Sequence, residues 1–142
     1  MSRIYWDTML FIYWLEENPR FGKRVDEIWS RMQERNDQLI TGALALGEVY
    51  AGAYKQGANK ERIQAVKAAL EDAVSEVIPF TVETAVVFGQ IKGSLNIASA
   101  GAIHLACAAS AGTDLFLTND KNLVGKVIPG IQFIAGLDSN IL

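Results

Sequence analysis

Three acidic residues occupy positions where a carboxylate can take part in chemistry. Asp7 follows the strand-like run 3–6, Glu48 lies among small and apolar neighbours, and Asp120 follows the strand-like run 114–118. An isolated carboxylate in an apolar segment needs a cation or hydrogen-bond donors, because burying it alone costs several kcal/mol. Clustered oxygen ligands without nearby cysteine or histidine favour Mg²⁺ or Mn²⁺. We therefore interpret the three acids as candidate ligands of a divalent ion.

Each of these acids also has a structural interpretation. Asp7 is in position to cap a helix that follows it, and an ion pair with a distant Arg or Lys would satisfy Glu48. Asp114 stands at the other end of the strand that precedes Asp120. At about 3.3 Å per residue the two lie roughly 20 Å apart, so we expect Asp114 to serve a turn and not the acidic cluster.

The composition disfavours several classes of protein. The 142 residues carry 13 Lys and Arg against 16 Asp and Glu, a formal charge of −3, which argues against binding nucleic acid by bulk positive charge. One cysteine and one histidine exclude an internal disulfide and a Cys/His zinc site. Divalent ions between carboxylates nevertheless turn an acidic cluster into a phosphate site, where they activate water and neutralise charge. An acidic chain is thus compatible with a phosphodiester substrate.

Polar residues beside the acids are candidates for supporting roles. Thr8, Thr118 and Asn119 carry groups that can orient a water molecule or hydrogen-bond an aspartate, although capping explains the two threonines equally well. Lys121, next to Asp120, is the expected substrate contact. The remaining basic residues are interpreted as solvated helix faces; they include Arg20, Lys23, Arg24, Lys55, Lys60, Arg62, Lys67 and Lys126.

The single histidine and the single cysteine fall in the alanine-rich run 102–111. Ile103 and Leu105 flank His104, which favours a structural histidine with a local hydrogen bond over a general base. Cys107 lies one turn further along the same apolar helix and is interpreted as core.

Short β-rich runs alternate with longer segments of helical character. The predicted strands are Ser2–Trp6, Gln38–Thr41, Val77–Phe80, Asp114–Thr118 and Ile131–Ala135. A helical face is predicted from apolar residues at steps of three and four, namely Ile63, Val66, Leu70, Val74 and Val77. A second helix is predicted over Ala102–Ala111, with Gly112 as its C-cap. This alternation predicts an α/β fold in three layers, with a parallel sheet of about five strands.

The chain shows no sign of a second domain or of a membrane anchor. No linker or repeat divides it, so we expect a single domain over residues 1–142. The apolar stretch Ile4–Leu15 is interrupted by Asp7 and is too short to cross a bilayer. We therefore expect a cytoplasmic protein that does not engage the membrane.

Four blocks of the sequence resemble a PIN domain, and more narrowly a VapC-type toxin ribonuclease. They are Asp7-Thr8, Leu46-Gly47-Glu48-Val49-Tyr50, Ala102-Ile103-His104-Leu105-Ala106 and Asp114-Leu115-Phe116-Leu117-Thr118-Asn119-Asp120, and the resemblance covers nearly the whole chain. It implies a PIN-like three-layer sandwich and a divalent-metal endonuclease that cleaves RNA, with Asp7, Glu48 and Asp120 as catalytic metal ligands.

The resemblance also implies partners. A homodimer is the family expectation, together with a small antitoxin encoded beside the toxin. An apolar groove near the N-terminal aromatic residues would take up an antitoxin helix. The aromatic residues themselves, Trp6, Phe11, Tyr13 and Trp14, are interpreted as core, dimer or partner surface and not as a platform for stacking bases.

One residue departs from the family pattern. The residue before Ala102-Ile103-His104 is normally an aspartate that binds metal, but here it is Gly101. Glycine has no side-chain ligand, so we expect weakened metal binding and cleavage. Three explanations stay open: a naturally weakened or inactive member, a coordination sphere completed by Ser99, Asn96 or water, and a deliberate substitution that removes toxicity.

Two hypotheses about function follow, and a third is disfavoured. The first is an endoribonuclease dependent on Mg²⁺ or Mn²⁺, weakened by Gly101, and the alternative is a catalytically degenerate PIN domain that holds RNA or an antitoxin. A haloacid-dehalogenase-like phosphatase needs a second aspartate two residues after the first, where Met9 stands. A receiver domain needs a phosphoacceptor aspartate after the run 77–80, where Thr81 stands.

Overall fold

Five parallel strands form one sheet in the computed structural model, which describes residues 1–140 and 142. The strands are β1 (Arg3–Trp6), β2 (Gln38–Gly42), β3 (Glu76–Ile78), β4 (Thr113–Leu117) and β5 (Ile131–Ala135). Their order across the sheet is β3-β2-β1-β4-β5, so β1 lies at the centre and the chain crosses over it between β3 and β4.

Helices connect the strands and cover both faces of the sheet. They are α1 (Thr8–Leu15), α2 (Gly22–Arg35), α3 (Ala43–Lys55), α4 (Lys60–Ala73), α5 (Val82–Ser94) and α6 (Ser99–Ala111). Ile4 and Trp6 of β1 pack in the core formed with α1 to α4, whereas Tyr5 packs in the core formed with α6 and Ile91 of α5. This alternation is the period of two that a strand imposes. The predicted three-layer α/β/α fold is therefore confirmed.

The register between β1 and β4 positions the residues that follow them. Trp6 pairs with Leu117, and the backbone N–H of Asp7 donates to the carbonyl of Leu117 at 3.0 Å. Asp7 and Thr118 consequently lie side by side at the same edge of the sheet. This edge holds the carboxyl ends of the strands, where parallel α/β sheets place their sites.

The predicted strand over residues 77–80 ends too late. β3 stops at Ile78 because Pro79 has no N–H to donate to a neighbouring strand, and Phe80 lies beyond the strand with 45% of its surface exposed. The other four predicted strands agree with the structure to within one residue at each end, and the prediction for Ile131–Ala135 matches β5.

The helical face that was predicted to run as far as Val77 also extends beyond the end of the helix. α4 ends at Ala73, Val74 has extended backbone, and the N–H of Ser75 donates to the carbonyl of Leu39 at 2.8 Å. The chain has joined the sheet by that point, so Val77 belongs to β3, where 42% of its surface is exposed. The helix predicted over residues 102–111 is confirmed as the greater part of α6.

The end of α6 follows the predicted capping. Gly112 has φ of +70°, the left-handed conformation that glycine adopts without a Cβ penalty. Across the described residues, no helix has the length and apolar character needed to span a membrane.

Candidate active site

Asp7 lies at the junction of β1 and α1, and its two carboxylate oxygens have different partners. Oδ1 accepts a hydrogen bond from the backbone N–H of Thr8 at 2.8 Å, which caps α1. Oδ2 accepts a hydrogen bond from the hydroxyl of Thr118 at 2.7 Å. The capping interpretation therefore accounts for one oxygen, while the other joins Asp7 to the end of β4.

Glu48 projects from α3 toward the same edge of the sheet. Its Oε1 accepts a hydrogen bond from the Thr8 hydroxyl at 2.6 Å and lies 2.8 Å from Nε2 of His104. Among the ion pairs of the described residues, Glu48 has no Arg or Lys partner; the group beside its carboxylate is the His104 imidazole. The alternative of a distant basic partner for Glu48 is therefore wrong.

His104 is the residue that joins the two acids. Its side chain is 3% exposed, and its Nε2 lies 2.8 Å from Glu48 Oε1 and 3.5 Å from Asp7 Oδ1. Nε2 also lies 3.1 Å from the Thr8 hydroxyl, and Nδ1 lies 2.9 Å from Tyr5 Oη. The local hydrogen bond expected for this histidine is therefore wrong, because its partners come from β1, α1 and α3.

The hydrogen-bond partners of His104 assign its tautomer. A carboxylate oxygen only accepts, so the contact with Glu48 places a proton on Nε2. Burial raises the pKa of the Tyr5 phenol far above its ordinary value. The phenol therefore stays protonated and can donate a hydrogen bond to Nδ1. The result is one chain of hydrogen bonds that runs from the buried Tyr5 through the buried His104 to Glu48, whose side chain is partly exposed.

Gly42 completes this chain at its buried end. Its backbone N–H donates to Tyr5 Oη at 2.9 Å. A Cβ at position 42 would lie 2.6 Å from that same oxygen and 3.4 Å from Cys107, so only glycine leaves room for the phenol. Cys107 itself is buried in the core on this side of the sheet, as predicted.

Asp120 has a different set of hydrogen-bond partners from the other two acids. It is exposed, and its Oδ1 accepts a hydrogen bond from the backbone N–H of Asn122 at 2.9 Å. Its backbone N–H donates to the Thr118 hydroxyl at 3.0 Å, so Thr118 contacts both Asp7 and the Asp120 backbone. In residues 1–140 and 142, no group of three or more His, Cys, Asp or Glu side chains is arranged to hold a metal ion.

Gly101 lies on α6 one turn before His104. A Cβ at this position would approach the side chain of Leu123 at 3.3 Å, and Leu123 follows Asp120 by three residues. The position that lacks a carboxylate thus faces the segment that carries Asp120. An added side chain there requires Leu123 to shift by a few tenths of an ångström.

The donor chemistry of the assembled residues can be compared with that of a divalent ion. Asp7 and Glu48 supply carboxylate oxygens, the ligands that Mg²⁺ and Mn²⁺ prefer. Two carboxylates placed near one point repel each other unless a positive or donating group lies between them, and here the His104 N–H lies between them. The His104 N–H therefore holds close to one point two carboxylates of the kind that a divalent ion binds, and Asp120 is a third carboxylate two residues beyond Thr118.

The aromatic residues near the N-terminus are mainly core. Trp6, Phe11 and Tyr13 are buried, and Trp14 is half-buried against Trp6 and Trp29. The interpretation of these residues as core is confirmed for the three buried ones. Tyr13 also has a polar role, since its hydroxyl accepts a hydrogen bond from the Asn119 amide at 2.9 Å.

Sequence reasoning missed the Tyr5–His104–Glu48 connection, although a signal was present. His104 and Glu48 are each the isolated polar residue of an otherwise apolar helix segment. Buried polar groups need partners, so two isolated polar residues on neighbouring helices are candidates to pair with each other. Tyr5, between two apolar residues of a central strand, gave no comparable signal.

Comparisons with known proteins agree with this architecture. The sequence model of the PIN domain matches residues 4–126, whereas no curated protein matches the chain. Among solved structures, VapBC2 from Rickettsia felis bound to a DNA fragment from its promoter is similar with a TM-score of 0.71 and 16% identity; the match covers 94% of this chain and 98% of that one.

Two other solved structures have the same fold. A toxin-antitoxin complex from Klebsiella pneumoniae is similar with a TM-score of 0.66 and 22% identity, covering 90% of this chain and 94% of that one. VapBC-1 from nontypeable Haemophilus influenzae has a TM-score of 0.63 and 18% identity, covering 83% of this chain and 87% of that one. With the family match over most of its length, the chain belongs to the PIN domain family.

Proposed function

We propose that this chain is a divalent-metal-dependent endoribonuclease of the VapC toxin type, which hydrolyses RNA phosphodiester bonds. The observation that carries the proposal is the convergence of Asp7 and Glu48, 41 positions apart in the sequence, on one imidazole nitrogen at the carboxyl edge of the sheet. Membership of the PIN family and the similarity to VapBC structures support it.

In this proposal Asp7 and Glu48 hold the ion, Mg²⁺ or Mn²⁺, and Asp120 is the third ligand. When bound, the ion would supply positive charge that activates water and neutralises charge on the phosphoryl oxygens. Thr8 and Thr118 orient the two carboxylates through the hydrogen bonds that they donate. Lys121, which is exposed beside Asp120, contacts the phosphate backbone.

Gly101 is expected to weaken the activity without abolishing the site. The family aspartate would add a carboxylate on the side of α6 that faces Leu123. Without it, fewer anionic oxygens surround the ion, so its affinity falls. We therefore expect activity that requires higher metal concentrations than a four-carboxylate site would need.

The test is cleavage of a single-stranded RNA by the purified protein with Mg²⁺ or Mn²⁺, and its loss with EDTA. Asp7→Asn and Glu48→Gln preserve shape but remove charge, and we expect each to lower the rate by about 100-fold or more. Cleavage that persists in EDTA, or in both variants, would show that the reaction does not use these acids.

The Gly101→Asp variant tests the position that departs from the family. We expect tighter Mn²⁺ binding by calorimetry and faster cleavage. Gly93→Asp is the matched control, because a Cβ at Gly93 on α5 meets no atom within 4 Å and the substitution adds the same charge. If Gly101→Asp changes neither property, position 101 does not correspond to the family ligand.

A second candidate function is a PIN domain that binds RNA or an antitoxin without cutting. Gly101 favours it, as does the finding that the described residues hold no preformed group of three metal-binding side chains. RNA binding without cleavage, at millimolar Mg²⁺ or Mn²⁺ and in the Gly101→Asp variant as well, would decide for this function.

We also propose an antitoxin partner that docks on the helices opposite α5 and α6. A groove of about 270 Å³ lies there, and its apolar lining includes Ile12, Leu15, Val49, Ala53 and Val66. An amphipathic helix fits a groove of this kind. The VapBC structures similar to this chain support such a partner.

Binding of the neighbouring gene's product tests the groove. A Cβ at Gly52 meets only Ile12 Cδ1, at 4.0 Å, so Gly52→Trp would fill the groove without disturbing the core, and we expect it to abolish the complex. We further propose a homodimer and a cytoplasmic location; light scattering and cell fractionation test these.

A further inference from the structure

A cleft beside the carboxylates has features that the proposed metal site does not use. It measures about 870 Å³ and is lined by Arg20, Phe21, Asn119, Lys121 and Leu137, among others. Thr118 also lines it, and the Thr118 hydroxyl donates to Asp7 on the other side. We call this the basic cleft; it opens next to the candidate active site.

Both walls of the basic cleft are fixed by hydrogen bonds. On one wall, the Asn18 side chain accepts the backbone N–H groups of Arg20 and Phe21, both at 2.9 Å. On the other, the Arg24 guanidinium donates to the carbonyls of Leu137 and Ser139, both at 2.7 Å. The cleft is therefore preorganised, which lowers the entropic cost of binding a ligand.

The basic cleft carries a net positive charge, although the chain as a whole is negative. Arg24 is engaged with backbone carbonyls and with Glu27. Arg20 and Lys121 are exposed, and neither forms an ion pair in the part of the chain that the structure describes. Two cations are thus available to an anionic ligand, against one lining acid, Asp138.

Arg20 and Phe21, which line the basic cleft, carry planar groups that lie against each other. The Tyr13 and Phe21 rings have centroids 4.7 Å apart, and the Arg20 guanidinium carbon lies 4.9 Å from the Phe21 centroid. Guanidinium planes are surfaces on which unpaired RNA bases stack. Asn119 is held by its bond to Tyr13, which leaves its Oδ1 positioned to accept from the edge of a base.

We propose that the basic cleft binds the nucleotides of single-stranded RNA next to the scissile phosphodiester. Arg20 and Lys121 contact the phosphates, a base stacks on Arg20 above Phe21, and Asn119 contacts the edge of that base. This inference rests on the proposed ribonuclease function, but it concerns a separate set of residues. The sequence alone indicated only Lys121, and it placed Arg20 on a solvated helix face.

The test measures RNA binding in EDTA, where cleavage is blocked. The probe is a fluorescein-labelled single-stranded RNA about 12 nucleotides long, and anisotropy gives Kd. Arg20→Ala should raise Kd about tenfold, and Arg20→Lys, which keeps the charge but not the plane, should recover only part of that. Lys121→Ala should reduce the slope of log K against log salt by about 0.7.

Lys23→Ala is the matched control, because Lys23 is exposed on α2 but lies among Asp26 and Glu27 outside the basic cleft. Its Kd should equal that of the wild type. Equal losses for Arg20→Ala and Lys23→Ala would overturn the proposal in favour of bulk attraction. The proposal would also be overturned by wild-type protein that does not bind the RNA, or by cleft variants that lose antitoxin binding and retain RNA binding.

The two proposals fail in different ways. Wild-type protein that binds RNA through Arg20 and Lys121 but never cuts it would refute the nuclease function and leave the cleft standing. Wild-type protein that cuts RNA, with Kd and KM unaffected by Arg20→Ala and Lys121→Ala, would refute the cleft and leave the nuclease function standing.

Discussion

Two regions flank Thr118, and a different kind of contact holds each of them in place. The first is the network of Tyr5, Thr8, Glu48 and His104, which is buried except at Glu48 and whose hydrogen bonds join residues 40 or more positions apart. The second is the turn 119–123, in which the exposed Asp120 accepts a hydrogen bond from a residue two positions away. The first region thus depends on the whole fold, whereas the second is formed by local turn geometry.

This difference predicts how substitutions divide between stability and function. Removing Tyr5 or His104 from the network leaves buried polar groups without hydrogen bonds. Removing the Asp120 carboxylate leaves groups that water can reach. Substitutions of Tyr5 or His104 should therefore lower the free energy of unfolding, and substitutions of Asp120 should affect function alone.

His104→Ala should have the largest effect. It removes the group between Glu48 and Asp7, leaves the Tyr5 hydroxyl without an acceptor and opens a cavity. We expect the free energy of unfolding to fall by about 3 kcal/mol in urea denaturation. His104→Gln keeps a donor near the position of Nε2 and should restore part of the lost stability. A loss below about 1 kcal/mol for His104→Ala would mean that the network contributes no more than ordinary surface contacts do.

Gly42→Ala should come next, through its clash with Tyr5. The new Cβ would displace the Tyr5 hydroxyl from its bonds to Gly42 and His104, at a cost of about 2 kcal/mol. Tyr5→Phe removes that hydroxyl and should cost a similar amount. In the Tyr5→Phe background, Gly42→Ala should cost about 1 kcal/mol less than in the wild type. Strict additivity in this cycle would mean that the two residues do not compete for space.

The pKa of Tyr5 predicts a dependence of stability on alkaline pH. Burial raises this pKa above its ordinary value of 10.0. The unfolded chain therefore loses the phenol proton first as the pH rises above 10, and stability falls by up to about 1.4 kcal/mol per pH unit. The stability difference between wild type and Tyr5→Phe should shrink between about pH 9 and about pH 11; a constant difference would contradict the buried phenol.

Asp120→Ala should have the smallest effect on stability, within about 0.5 kcal/mol. If Asp120 is the third metal ligand, Mn²⁺ affinity should nevertheless fall by about tenfold or more. Asp138→Ala, which removes another exposed acid, is the control and should change neither quantity. A large loss of stability in Asp120→Ala would remove the contrast between the two regions.

The sequence predicted the parts of the fold that depend on local pattern. Strands β1, β2, β4 and β5 are short apolar runs, and α6 is an alanine-rich run closed by Gly112, so their positions follow from neighbouring residues. The positions of Asp7 and Thr118 at one edge also follow, since carboxyl ends of adjacent parallel strands coincide. The end of β3 was misplaced because the effect of Pro79 was not weighed.

The contacts of single polar residues could not be predicted from local pattern. Asp114 was expected to serve a turn, yet its Oδ2 accepts the backbone N–H of Arg3 at 2.7 Å and ties β4 to β1. His104 was expected to bond locally, yet it bonds to β1 and α3. Such partners depend on which helices pack on each face of the sheet, and one sequence gives no measure of that.

The two bonds from Arg24 to the carbonyls of Leu137 and Ser139 have a practical consequence for anyone handling this protein. A truncation before Leu137 would release the guanidinium and leave one wall of the basic cleft without support. Removing those residues should therefore weaken RNA binding even though Arg20 and Lys121 stay in place.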